Sequence, residues 1–598
     1  MADTVELKIC RELLDPKFDG YKLSLDKLPL YKSQLDNAIE VVSLGDDQFS
    51  FHHAKIYGVH NHLFLDLWSE HTCSVYIIDT DWAVVRSTSM GMTLDTGRKV
   101  LQIPDATNQK LTPRRLNLVL QFISPDMAVI SDGAGKFHLV DTGNRGDDSS
   151  NWKIIFSKDL IDNGEPFVLA DAVTHTVDET HYVECLCVHV EESTEEQKDR
   201  YRSPYLTMLK WITLTSVDRR SWSVERTRQL IGRKPYDYAA FDHTGSSVII
   251  SAAAEFKFVY DSSKPIQEEA AQEPGNGQND VFSPGKPAPE YTWHQDSDEI
   301  CAMFTVPEGV KKEDIYLTLK SEYIDFGIKN VKALLKGQLH RRIDVDASTW
   351  TIIGQRIELT LGKPQLEAWP VIVQGDERGE MTVDEGLVAQ IHERLAHLTS
   401  DDMNPSPELM EGQPYNAQQL EDCDAFPDDS SLLHRIDGNT HRTVSQTNLG
   451  SHQWLFNARV CRDQPPALCL RHDVDGLLWQ PENVVKEQMT PWKHISTFNA
   501  FGYVQASKQQ RKYTTCPPGS LYVAVCDCVR HVYVYRQPTP ITSPVRNRKT
   551  GQKVNAVAKQ QLVSLESVDN ILGIQATDEK LFMITRNMVY VANVNMSP

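Results

Sequence analysis

The sequence of 598 residues contains no run of about 18 apolar residues, so nothing in it is read as a membrane-spanning helix. Its opening, MADTVELKIC, is charged and lacks an apolar stretch, which predicts no secretory signal. Cysteine is sparse and odd in number, 11 in all, and no C-x-x-C pair occurs. Neither a disulfide framework nor a zinc ribbon is indicated, and a reducing compartment fits. Cys185/Cys187 and Cys526/Cys528 are spaced by two, placing each pair on one strand face as small core residues. Positive charge is also short: 61 Lys and Arg face 82 Asp and Glu, for a net charge of −21. Such a surface is repelled by phosphate backbones, so general nucleic-acid binding is disfavoured.

Catalytic signatures are lacking as well. There is no G-x-S-x-G and no G-x-G-x-x-G. His392, Glu393 and His397 resemble a zincin motif, but histidines at i and i+5 lie roughly 140° apart on a helix and cannot share one metal. SDGAGKF (131–137) lacks the first glycine of a phosphate loop, and Phe137 stands where a hydroxyl would hold magnesium. It reads as a hairpin turn. FHHAKIYGVHNHLF (51–64) has no carboxylate or cysteine at ligand spacing and is read as two strands with polar faces outward. No cofactor and no metal are expected.

What is present is strand. Hydrophobic residues make up 40% and charged residues 24%, enough apolar material for real cores. FISPDMAVISDGAGKFHLVD (122–141) and AFDHTGSSVIISAAAEFKFVYD (240–261) share a strand–turn–strand rhythm with CPPGSLYVAVCDCVRHVYVYR (516–536) and IQATDEKLFMITRNMVYVANV (574–594). Short strands at regular spacing indicate a sandwich, barrel or propeller. A four-stranded blade cannot bury both faces alone, so it must stack on neighbours. The reading adopted is all-β: one β-propeller built from residues 1–260 and 431–598, with roughly seven to eight blades. A strand from the N-terminal half could close the ring against the C-terminal half. Two separate β domains are the alternative.

Three segments separate those arcs. Residues 261–290 hold five Pro and three Gly and read as a linker. Residues 376–430 carry 15 acidic residues against Arg378 and Arg394. This acidic linker is expected to hold short helices, one over GLVAQIHERLAHL (386–398) and one capped by Asn416. Between them, residues 291–375 show clean period-2 alternation: Ile300, Ala302, Phe304 and Val306 face one way, as do Ile343 and Val345. That is the pattern of antiparallel strands buried on one face, closing as a small β-sandwich. Pro307 and Gly337 are read as turn residues.

YTWHQ (291–295), VPEGVKKEDI (306–315), GQL (337–339), DASTWTI (346–352), IELTL (357–361) and AWP (368–370) resemble the CS domain, the small sandwich of NudC proteins and related co-chaperones of heat-shock protein 90. LLDPKFDGYKLSLD (13–26), NAQQLEDCD (416–424), CLRHDVDGLLWQP (469–481) and FNAFGYVQASK (498–508) extend the resemblance to NudC-family members with a CS domain inside a larger body. The resemblance implies a non-enzymatic scaffold or co-chaperone in cytoplasm and nucleus. It further implies protein partners: heat-shock protein 90 machinery, β-propeller clients or RNA helicases. No direct nucleic acid and no membrane partner are expected.

Within the module, Trp293, Trp350 and Trp369 are read as packing aromatics, with Pro307, Gly337 and Leu339 as further structural positions of the family pattern. The candidate docking residues are Lys329, Lys332, Lys336, Arg341 and Arg342, a stretch with no acidic residue. Such a strip would steer and orient an acidic partner surface. Two other readings stand beside the scaffold. One is an enzyme with its site in the propeller channel. The other is a nucleic-acid-associated factor acting through the basic loop RNRKTGQK (546–553).

Overall fold

The computed structural model describes residues 3–15, 18–69, 73–91, 93–147, 151–161, 164–266, 291–295, 299–306, 310–329, 331–353, 356–364, 369, 371–376, 378–381, 432–449, 452–482, 492–508, 511–527, 529–546, 553–566 and 569–594. The chain divides into two compact units: Met1–Glu269 with His397–Pro598, and Ala270–Ala396.

Among the described residues the larger unit contains seven sheets of four or five strands, here numbered as blades in chain order. Blade 1 is built on Phe64–Leu65, Cys73–Ile78 and Ala83–Met90. Blade 2 runs Val119–Phe122, Met127–Ser131, Lys136–Asp141 and Lys153–Asp159. Blade 3 runs Val168–Val177, Thr180–Glu192, Tyr205–Ser216 and Ser223–Gly232. Blade 4 takes Tyr236–Phe241 and Ser247–Ala252 from one side of the inserted unit and Leu432–Asp437 and Thr443–Asn448 from the other. Blade 5 runs Gln453–Ala458, Ala467–His472, Asp475–Pro481 and Trp492–Phe498. Blade 6 runs Arg511–Thr515, Tyr522–Asp527, His531–Arg536 and Lys559–Ser564. Blade 7 joins Gly573–Ala576, Lys580–Ile584 and Met588–Asn593 to the N-terminal strand Leu30–Gln34.

Strand alternation explains why these sheets form a ring. Ala128 and Ile130 pack with Tyr76 and Val84 of blade 1, while Met127 and Val129 of the same strand pack with Leu169 and Cys185 of blade 3. In blade 3, Cys185 and Cys187 face blade 2, and Leu186 and Val188 face Phe241 and Ile250 of blade 4. A strand with apolar side chains on both faces needs a neighbour on each side. Tyr238 and Ile249 of blade 4 meet Leu470 and Trp479 of blade 5. Phe456, Phe498 and Phe501 carry the packing on to Tyr535 of blade 6. Ala524 and Val534 meet Ile574 and Leu581 of blade 7. Phe582 and Val591 of blade 7 meet Val75 and Ile77 of blade 1, which closes the ring. The unit is a seven-bladed propeller.

The closing strand comes from the N-terminal segment: Leu30 pairs with Ala592 and Gln34 with Met588, antiparallel. Two further pieces of this segment add parallel outer strands, Asp3–Thr4 on blade 4 and Lys22–Leu23 on blade 6. SDGAGKF is a hairpin turn, as its glycines suggested. Asp132 accepts backbone N–H bonds from Ala134 (2.8 Å) and Lys136 (2.9 Å), and Gly133 and Gly135 have φ of 68° and 114°.

The reading of residues 51–64 as two strands is corrected. Phe51–Tyr57 is an α-helix, followed by the short strand Phe64–Leu65. Ser50 caps the helix by accepting from the His53 N–H, and His52, His53 and Tyr57 form its buried face. A capping serine ahead of buried residues at helical spacing outweighed the polar alternation.

The smaller unit is a two-sheet sandwich. One sheet orders Asp344–Ile353, Arg356–Gly362, Glu299–Thr305, Tyr291–Gln295 and Gly379–Met381. The last strand runs parallel to Tyr291–Gln295, so the sandwich is antiparallel except at this edge. The other sheet orders Ile315–Lys320, Tyr323–Ile328 and Lys332–Gln338, all antiparallel. Ile300, Ala302, Phe304, Ile324, Phe326, Leu335, Ile357, Leu359 and Leu361 fill the core. Each large apolar side chain buried there contributes roughly 1.5–3 kcal/mol. Ile343 is buried with them, but Val345 is exposed, because a register shift follows Asp344 where the strand joins Arg356–Gly362.

Candidate protein-interaction surface

The outward face of the three-stranded sheet presents what the inward alternation leaves over. Tyr316, Asp325 and Lys336 alternate with the buried Ile315, Ile324, Phe326 and Leu335. The register places Asp325 directly opposite Lys336. Lys336 Nζ lies 2.8 Å from Asp325 Oδ2, and the Tyr316 hydroxyl donates to Asp325 Oδ1 at 3.1 Å. The hydrogen bond from Lys336 holds the Asp325 carboxyl below its ordinary range, and the same bond raises the lysine.

At least three of the five predicted basic residues therefore have roles inside the module. Besides Lys336, Lys329 Nζ donates to the Glu313 carbonyl at 2.6 Å, and Arg342 Nε stands 3.6 Å from Glu322 Oε1. Both of those contacts are exposed, and such pairs are worth little and leave the charge accessible. Lys332 and Arg341 are exposed too. Lys332 and Lys336 project from one strand, roughly 13 Å apart along it. Val331, 72% exposed, stands between Lys329 and Lys332 and adds an apolar point to the basic edge. The face thus mixes spaced cations with Tyr316, Val331 and one internal carboxylate. Asp325 and Tyr316 were missed in the sequence, although their outward positions follow from the alternation of Leu317, Ile324 and Phe326.

The family-pattern aromatics lie where packing requires. Trp293 and Trp369 are buried, as is Leu339. Trp350 is half-buried against the core, 6.1 Å from the Phe326 ring, with Lys312 Nζ 5.6 Å over its own ring. Gln295 fixes Trp369 by a pair of bonds: its Nε2 donates to the Trp369 carbonyl (2.7 Å) and its Oε1 accepts the Trp369 N–H (2.8 Å). Gly337 is not at a turn. It sits inside Lys332–Gln338 with φ of 145°, opposite Ile324, and a Cβ there would meet Val373 Cγ1 at 2.6 Å. Close approach of Val373, not chain reversal, is what requires glycine. Pro307 lies outside the described residues. So do most of 261–290, the expected helices over 386–398 and at Asn416, the His392/His397 pair and residues 547–552 of the basic loop.

In the propeller, a buried charge pair ties strands of blade 3 together. Glu184 accepts from Trp211 Nε1 (2.6 Å) and Thr213 Oγ1 (2.7 Å) and faces Arg228 at 3.1 Å. The Arg228 guanidinium lies 3.7 Å over the Trp211 ring. Arg228 Nη2 donates to both Glu184 Oε2 (3.1 Å) and Thr213 Oγ1 (2.5 Å), so the carboxylate is held entirely by side chains of blade 3. Among the described residues no group of three or more His, Cys, Asp or Glu is placed to hold a metal ion.

The fold and this surface define an all-β protein in which a small β-sandwich is inserted into one blade of a propeller. Residues 289–363 match the CS domain. The chain is 39% identical to mouse NudC domain-containing protein 1 over 99% of both chains, and 38% identical to that of Xenopus tropicalis over 98% of both. It is 26% identical to the nuclear movement protein nudc of Schizosaccharomyces pombe over 19% of this chain and 68% of that protein. The chain belongs to the NudC domain-containing protein 1 family.

Proposed function

We propose that this chain is a non-enzymatic scaffold and co-chaperone adaptor that holds protein partners on its CS domain and its propeller at once. It links chaperone or remodelling ATPase machinery to clients, in cytoplasm and nucleus. Heat-shock protein 90 machinery, β-propeller clients and RNA helicases are the partner classes the family suggests. The carrying observation is the place of the insertion. The CS domain follows Lys257–Asp261, an edge strand paired with Ser223–Gly232 of blade 3, and precedes Leu432–Asp437, which pairs with Ser247–Ala252 in blade 4. A binding module attached there leaves the blade's own pairing intact. Two modest sites on one chain raise apparent affinity through effective concentration.

The basic face of the three-stranded sheet is the proposed contact on the CS domain, taking an acidic partner surface by charge complementarity. The test is affinity capture with quantitative mass spectrometry of the intact chain and of the triple variant Lys332→Glu, Lys336→Glu, Arg341→Glu. A set of partners lost from the variant, with its melting temperature kept, supports the reading. An unchanged partner set at low and moderate salt contradicts it.

A further inference from the structure

A second candidate site lies on the propeller, where helix Phe51–Tyr57 packs against blade 3. His52 Nδ1 shares a 2.8 Å hydrogen bond with Thr207 Oγ1, the Tyr57 hydroxyl accepts the Val190 N–H at 2.9 Å, and the His53 ring meets Tyr205 edge-on at 5.3 Å. Between this helix, the turn after Tyr201 and the end of strand Ser223–Gly232 is a pocket of about 350 Å³. Its floor is firm, since Tyr201 packs on Leu206, Met208 and Ile231. Gly232 lets the Phe256 ring close in from behind: a Cβ there would sit 2.3 Å from Phe256 Cζ. The chain then turns Arg233 and Lys234 outward.

Three cations line this pocket, Arg202, Arg233 and Lys234, and no carboxylate does. None of the three forms an ion pair among the described residues, and all are exposed. Arg202 ends its helix with a left-handed backbone, φ 50°. His52 adds no charge near neutral pH, since burial pulls its pKa down to about 4. Phe51, 68% exposed, lines the pocket with the cations, and two positions earlier in the chain Phe49 is 78% exposed. On a chain of net charge −21, unpaired cations around a carboxylate-free pocket with bare aromatics form a complementary seat for one kind of ligand. We infer that this pocket binds a short acidic peptide of a partner protein, an apolar side chain entering beside Phe51 and flanking carboxylates pairing with Arg202, Arg233 and Lys234. This site is independent of the CS domain.

Fluorescence anisotropy of the full chain with a fluorescein-labelled peptide, a central phenylalanine between runs of glutamate, tests the assignment. Saturable binding that weakens with salt is expected. Arg233→Glu with Lys234→Glu should weaken it by about tenfold or more, and Phe51→Ala should weaken it too. All three positions are exposed, so melting temperatures should hold. Lys153→Glu with Lys158→Glu, exposed on blade 2, should leave binding unchanged, which separates a site at this pocket from general charge attraction. Any one of four results overturns the inference: no binding, equal binding of a glutamine-for-glutamate peptide, wild-type affinity in the pocket variants, or a single-stranded RNA bound more tightly through the same residues.

Discussion

Ile250 pairs with His434 on adjacent antiparallel strands of blade 4, although the whole CS domain lies between them in the chain. The propeller is therefore one body whose second and third strands in that blade are drawn from either side of an insertion. Ile250 packs with Phe241 and Ile436 against blade 3, and it is fully buried. Ile250→Ala is expected to cost about 2–5 kcal/mol of propeller stability. Thermal unfolding should show the propeller transition lowered and the CS-domain transition unmoved.

The N-terminal strand predicts a second effect. Leu30–Gln34 covers the edge of Met588–Asn593, and without it a row of unpaired backbone groups is exposed. Truncation of residues 1–36 should raise amide exchange across Met588–Asn593 and produce oligomers, seen by light scattering. A monomeric truncation with native protection there would contradict the ring closure described.

Gly337→Ala is expected to destabilise the CS domain by about 1–3 kcal/mol, from the positive φ and the crowding of Val373. Urea unfolding of the isolated domain measures it directly. A neutral substitution would mean that Val373 moves aside.

Acid sensitivity follows from buried imidazoles. His138 is buried, its Nδ1 shares a 2.7 Å bond with Ser157 Oγ, and burial followed by the Lys136 charge lowers its pKa to about 4. The unfolded chain, with an ordinary histidine pKa near 6.5, then binds more protons than the folded one. The stability contribution is present above pH 6.5 and is lost as pH falls toward about 4, on the order of 2 kcal/mol. Melting temperature against pH should flatten over that window in His138→Gln relative to the wild type.

Much of this architecture is legible in the residues themselves. The run Met127–Ser131 announces a strand buried on both faces, and Ile300, Ala302 and Phe304 announce one buried on a single face. Ring closure by an N-terminal strand was expected in kind. Its location at Leu30–Gln34 was not, because that strand is short and half-exposed. The helix at Phe51–Tyr57 was hidden by histidines that look polar yet are buried neutral. The basic strip was legible as charge, but its partners were not. The pairing of Lys336 with Asp325 depends on cross-strand register, which a register shift after Phe326 resets within the same pair of strands.

The most direct test replaces residues 291–375 with a short Gly/Ser linker and measures hydrogen exchange together with partner capture. The account predicts that Ser247–Ala252 and Leu432–Asp437 keep their protection while one subset of partners is lost and another retained. Unfolding of blade 4, or retention of every partner by the ring alone, would contradict an adaptor built from a CS domain set into an intact propeller.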